Sequence, residues 1–183
     1  MRRMILAVTV VAMTAVASAQ ESRTELIKPS ATPLEDSKPN SDKVPPAYAI
    51  SGQFDRIMIL RCKYQTDLLN MLETFVKQQR IRNAVILAGI GSLRGYHVHT
   101  VSNRVFPSRD IYVKNPTAPA DIVSMNGYII DGRVHAHITL ADADKAFGGH
   151  LEPGNEVFTF AAVTIGILND KVDLVHLDDK TYR

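Results

Sequence analysis

One cysteine, Cys62, and no tryptophan occur among the 183 residues. A lone thiol cannot close an intramolecular disulfide, so a folded body must be held by core packing, a bound metal or association between copies. Long apolar runs are also missing. The longest lies between Arg3 and Gln20, is shorter than the roughly 20 residues of a membrane-spanning helix, and is interrupted by Thr9 and Thr14. Nor does charge of one sign prevail: the chain holds 21 Lys+Arg against 19 Asp+Glu, and two of the basic residues are Arg2 and Arg3. Without those two the balance is zero, which leaves no global attraction for a phosphate backbone.

The first residues have the grammar of an export signal. Arg2 and Arg3 form a charged lead, Ile5 to Val16 an apolar centre, and Ala17-Ser18-Ala19 a small-residue cleavage site before Gln20. Residues 1–19 are therefore read as a cleaved signal peptide and the mature protein as periplasmic or secreted, with no membrane span after cleavage. Residues 20–48 carry five of the nine prolines, mixed charges and no aromatic before Tyr48. With little to bury, this stretch is read as a flexible, Pro-rich tail. Residues 49–183 form the domain.

That domain reads as strands around one helix. Phe54 to Cys62 is a strand, with Cys62 expected as a buried, inert thiol. Thr66 and Asp67 supply a helix start, and Leu68, Leu69, Leu72, Phe75 and Val76 recur at helical spacing over 67–79. Further strands are expected at 83–88, 96–102, 122–130, 134–140, 157–168 and 172–177, with Asp131-Gly132 as a tight hairpin turn. One helix cannot cover both faces of a parallel sheet. The fold class is thus α+β: a compact, mostly antiparallel or mixed sheet with one main packed helix.

Gly89-Ile90-Gly91-Ser92-Leu93-Arg94-Gly95 looks like a dinucleotide-binding turn, but such a turn must open a helix. The residues after it, Tyr96 to Val101, alternate like a strand, so a glycine-rich turn or bulge is the better reading. Val134-His135-Ala136-His137-Ile138-Thr139-Leu140 carries more chemistry. Alternation puts Val134, Ala136, Ile138 and Leu140 toward the core and His135, His137 and Thr139 on the opposite face. Gly148-Gly149-His150 comes next, its glycines free to return a third imidazole over that face. His135, His137 and His150 are therefore candidate ligands for zinc or another divalent transition metal, with an open fourth position. The competing reading is three ordinary polar-face histidines. His97 and His99 form a second alternating pair expected to face water, and His176 is expected to be half-buried and hydrogen-bonded. Glu152 and Glu156 lie near the third histidine, but no general base can be assigned.

The order Gly89-x-Gly91-Ser92-Leu93, Gly127, His135-x-His137-x-Thr139-Leu140 and Gly148-Gly149-His150-Leu151 resembles the plants and prokaryotes conserved domain, over roughly residues 50–178. The resemblance implies a compact sheet with a packed helix, assembled as a homotrimer. It also implies a DNA-binding association, since plant members carry AT-hook motifs. This chain lacks the Arg-Gly-Arg-Pro core of those motifs. Two functions are expected on these grounds. One is an exported metal-binding protein that binds or processes an unknown small-molecule ligand, its status as an enzyme open. The other is a trimeric module that binds DNA or another ligand without catalysis. A cupin-like barrel also uses His-x-His, but it expects a Glu soon after the pair, where this chain has Ala141 and Asp142.

Overall fold

A computed structural model describes residues 23–29 and 42–178, so the expected signal peptide lies outside the described residues. The elements in order are β1 (Thr24–Pro29), β2 (Phe54–Lys63), α1 (Leu68–Gln78), β3 (Ala84–Val101), β4 (Arg109–Asn115), β5 (Ala120–Ile130), β6 (Arg133–Ala141), β7 (Ala146–Leu151) and β8 (Glu156–Leu168), with a 3-10 turn at Val175–Asp178. All pairings between these strands are antiparallel. This is the α+β architecture expected from the sequence. Among the described residues no helix is long and apolar enough to cross a membrane.

Strand β3 organises the sheet because it is long enough to serve two sets of neighbours. Its first half lies between β5 and β8, and its second half between β4 and β7. Since β5 pairs with β6 and β6 with β7, the path β3-β5-β6-β7 returns to β3 and closes a ring. Two strands expected at 83–88 and 96–102 are thus one, joined through the glycine-rich stretch. The stretch is not a turn: register shifts against β8 at Gly91/Leu93 and Leu93/Gly95 mark it as bulged strand, which bends β3 from one set of partners to the other.

The main core cluster includes Leu93, Ile129, Leu140 and Ile165, all fully buried. Helix α1 closes the core with Leu68, Leu69, Leu72 and Val76. Its start is fixed by Asp67, whose Oδ1 accepts from the Asn70 N–H at 3.0 Å while Oδ2 accepts from the Gly154 N–H at 2.6 Å. One carboxylate therefore caps the helix and holds the β7–β8 turn. Asp131 and Gly132 have φ of 48° and 80°, the left-handed pair that a two-residue hairpin turn requires. Cys62 is buried, and burial pushes its thiol pKa up, in keeping with an inert core residue.

Other expectations are corrected. The predicted strand at 172–177 is an irregular segment ending in the 3-10 turn, and its Val172 and Leu174 pack with Ile130 in a second small core. Apolar alternation marked the right buried positions, yet no partner strand is available there among the described residues. Within the stretch read as a tail, β1 adds an edge strand to β4 with all six residues exposed. Backbone pairing with β4 places it with no buried apolar face, so composition gave no sign. Strand β4 was missed because its alternation is short and flanked by polar loops.

The double glycine is the most consequential correction. Gly148 and Gly149, expected to serve as free backbone that returns His150 over the histidine face, instead belong to strand β7. A Cβ at Gly148 would stand 2.1 Å from the Ile138 carbonyl oxygen, and one at Gly149 would stand 2.2 Å from that of His99. The glycines let β7 fit closely between β6 and β3. Gly149→Ala is expected to lower the free energy of unfolding by about 1–3 kcal/mol through overpacking, seen as a lower urea midpoint; an unchanged midpoint would contradict this close approach.

Candidate metal centre

Register across the closed ring decides which side chains meet. Tyr112 on β4 pairs with His99 on β3, His99 with His150 on β7, His150 with His137 on β6, and His137 with Asn126 on β5. Directly paired residues project from the same face of a sheet. Five strands therefore present one continuous row, and His135 joins it from two residues along β6, opposite Tyr128. Ala136, Ile138 and Leu140 are buried on the core side, as the alternation requires.

His135, His137 and His150 each offer a ring nitrogen, and these atoms all lie within 4.8 Å of one another. The rings of His135 and His137 stack with centroids 5.6 Å apart, and His150 stands nearly perpendicular to both, at 4.9 and 5.4 Å. Zn–N bonds of about 2.0–2.1 Å in a tetrahedral site put ligand nitrogens about 3.4 Å apart. The nitrogens already stand near that spacing, so the cluster could hold a metal ion. The three histidines singled out from the sequence are those the fold brings together.

The electrostatics suit ligation. His150 has its pKa lowered to about 4, first by burial and then by the neighbouring His99 and His135. His137 is also lowered, first by burial and then by His135 and His99. Both rings are thus neutral near pH 7, with lone pairs available, and an approaching cation displaces no proton from the ligating nitrogen.

His99 departs from its expected solvent-facing role. It is half-buried, its ring centroid lies 4.7 Å from that of His150, and its Nδ1–H donates to Glu152 Oε1 at 2.6 Å. Burial opposes ionisation of Glu152, but the His99 hydrogen bond and the surrounding imidazoles outweigh it and hold the carboxyl below its ordinary range. The turn carrying Glu152 is anchored by Asn155, fully buried, whose Nδ2 donates to the carbonyls of His97 and Glu152, both at 2.6 Å. Tyr112 flanks His99 with ring centroids 4.8 Å apart, and Lys28 of β1 lies over Tyr112 at 4.9 Å. The role of His99 and Glu152 was not readable from the sequence, because it depends on β3 and β7 being neighbours.

The remaining candidates fall elsewhere. His97 directs Nδ1–H to the Pro153 carbonyl at 2.8 Å. Glu156 pairs with Arg94 at 3.4 Å rather than with a histidine. His176 is exposed in the 3-10 turn, not half-buried. Asp142, at the position where a cupin would need its glutamate, instead accepts from the backbone N–H of Asp144 and Lys145, both at 2.9 Å.

A closed antiparallel ring with one packed helix and a three-histidine face defines a recognisable class of small domain. The chain belongs to the Plants and Prokaryotes Conserved (PCC) domain family, whose sequence pattern matches residues 49–169. Similar solved structures include a metal-containing protein from Archaeoglobus fulgidus, at 24% identity and TM-score 0.56, covering 67% of this chain and 86% of that one. A plant- and prokaryote-conserved protein from Pyrococcus horikoshii has 24% identity and TM-score 0.53, covering 67% and 85%. A candidate DNA-binding protein from Bacteroides thetaiotaomicron has 19% identity and TM-score 0.52, covering 67% and 85%. At these identities the likeness shows the fold alone. The bifunctional protein GlmU of a Synechococcus strain is 29% identical over 111 residues, which make up 60% of this chain and 17% of that protein. This chain thus spans a small part of that curated relative.

The lowered pKa of His150 carries a prediction for the metal-free protein. Between about pH 6.5 and 4 the unfolded chain binds more protons at this residue than the folded one does. Its contribution is therefore fully present above the unfolded value and is lost as pH falls toward about 4. Melting temperature should drop across that window, and His150→Gln should flatten the slope; an equally steep slope in the variant would assign the effect to other groups.

Proposed function

We propose that this chain is an exported metal-binding protein in which His135, His137 and His150 hold zinc or a similar divalent transition metal, leaving a position open to a small-molecule ligand. The observation that carries this reading is the convergence of three imidazoles from two paired strands, with ring nitrogens all within 4.8 Å of one another. An all-imidazole donor set suits zinc, copper or nickel rather than magnesium or calcium, which prefer oxygen. The metal-containing description of the Archaeoglobus fulgidus protein supports the same reading. When bound, such an ion supplies Lewis acidity at its open position. The chain's own residues orient the ligands: Asn155 fixes the turn, Glu152 fixes His99, and His99 packs against His150. Export rests on the signal-like residues 1–19.

Assembly as a homotrimer belongs to the same proposal. The outer face of β2 and β8 exposes Ile57, Ile59, Phe158 and Phe160, with Ile90 of β3 nearby. An apolar surface of this kind on an edge strand and its neighbour is suited to association with further copies. The second reading, a trimeric module that binds DNA or another ligand without catalysis, is favoured by the description of the Bacteroides thetaiotaomicron protein. Zero net charge after residue 19 weakens the DNA version, since phosphate contacts supply most non-specific affinity.

Elemental analysis of purified protein is expected to find about one metal ion per chain, with His135→Ala, His137→Ala and His150→Ala each reducing it at least tenfold. Metal-free wild type under metal-replete conditions would end the reading. In sedimentation, Ile59→Asp with Phe160→Asp is expected to convert a trimer to monomers while leaving metal content unchanged. Duplex DNA retained at low salt and released steeply as salt rises would instead establish the second reading.

A further inference from the structure

A cavity of about 680 Å³ lies not within the histidine row but beside it. Strand register links the two. Tyr128 of β5 is the direct partner of His135 on β6 and of Val85 on β3, so the three share a face. Tyr128 and Val85 also line the cavity. Along β5 the same face carries Asn126 opposite His137, then Tyr128 opposite His135, then Ile130 beneath the second small core. The floor therefore runs from the histidines directly into the cavity, with cross-strand Cβ atoms about 5 Å apart.

The walls come from outside the family match, which ends at residues 49 and 169. One is the Pro45-Pro46 segment with Tyr48, and the other is the segment from Val172 to Leu177. The two are joined to each other: the Tyr48 hydroxyl donates to the His176 carbonyl. The second wall is also tied to the residue before β3, through Asn83 Nδ2 to the Val172 carbonyl at 2.8 Å, and the bases of the two flanks meet where Asn169 N–H donates to the Gln53 carbonyl at 3.1 Å. Close packing of the second wall depends on Gly52, where a Cβ would stand 2.5 Å from Val172 Cγ2. The two flanks thus fold back and build a chamber against the family domain at the edge of its histidine face.

Chemistry narrows the occupant. Among the described residues no Asp, Glu, Lys or Arg lines the chamber; its walls are mostly proline, tyrosine and aliphatic side chains, with His176 as the one imidazole among them. Such a surface accepts an uncharged ring or short aliphatic body. A divalent ion held by three neutral imidazoles keeps its positive charge, so its open position favours an anionic head. Resting on the metal-centre reading above, we infer that the chamber seats the centre's ligand, a small carboxylate with a ring-sized apolar body that lies against Tyr128 while the carboxylate reaches the metal.

The test is binding of 2-naphthoate, followed by fluorescence, to the purified protein loaded with one equivalent of zinc, with metal content measured on every sample. The expected result is saturable binding that weakens at least tenfold when zinc is removed, and at least tenfold in Tyr128→Ala and in Ile50→Glu, with zinc retained. Tyr128 is 40% exposed and Ile50 38% exposed, so neither substitution opens the main core. 2-Naphthalenemethanol, which lacks the carboxylate, is expected to bind at least tenfold more weakly. Zinc retained with no naphthoate binding, or with binding unchanged in both variants, would overturn the chamber and leave the metal centre standing. Failure of the wild type to retain zinc would overturn the metal centre and this inference with it.

Discussion

Strand β7 is held between β6 and β3 at a distance only glycine permits, and the rest of the site depends on that contact. With Gly148 against the Ile138 carbonyl and Gly149 against that of His99, β7 completes the ring and places His150 opposite His137 on one side and His99 on the other. A slip of one residue would turn His150 to the opposite face, because side chains alternate along a strand. The histidine row is thus a consequence of backbone packing. No loop needs to be ordered to make it.

The electrostatics arise from the same geometry. Imidazoles gathered on a partly buried face cannot all carry protons, so burial and mutual repulsion hold His137 and His150 neutral. The neighbouring carboxylate of Glu152 is engaged with His99 and sits on a turn that buried Asn155 ties to β3. A carboxylate placed there steadies the outer edge of the row without occupying its centre. Asp67 secures the same turn from the other side while capping α1, so helix, turn and histidine face are mechanically one unit.

Around this unit the chain adds parts that its composition disguises. A strand from the proline-rich stretch lies along β4 and brings Lys28 over Tyr112, and the segments before residue 49 and after residue 169 fold back over Tyr128 and Val85. Pairing by backbone and packing by isolated aromatics leave no periodic trace, which is why residues 20–48 read as a tail. The segment at 172–177 shows the reverse error. Its alternation was real and buried the right residues, Val172 and Leu174, but a strand also needs a partner edge.

Local chemistry determined a good deal. Alternation along 134–140 placed His135 and His137 on one face, helical spacing over 67–79 placed α1, and Asp131-Gly132 placed the hairpin, because each depends only on residues close in the chain. Which strands lie side by side is a different kind of fact. It rests on contacts between residues far apart in sequence, and it alone decided that the double glycine is a strand, that His99 and Glu152 border the cluster, and that the flanks wall a chamber beside it. Periodicity records which way a side chain points. Only the closed sheet records what it points at.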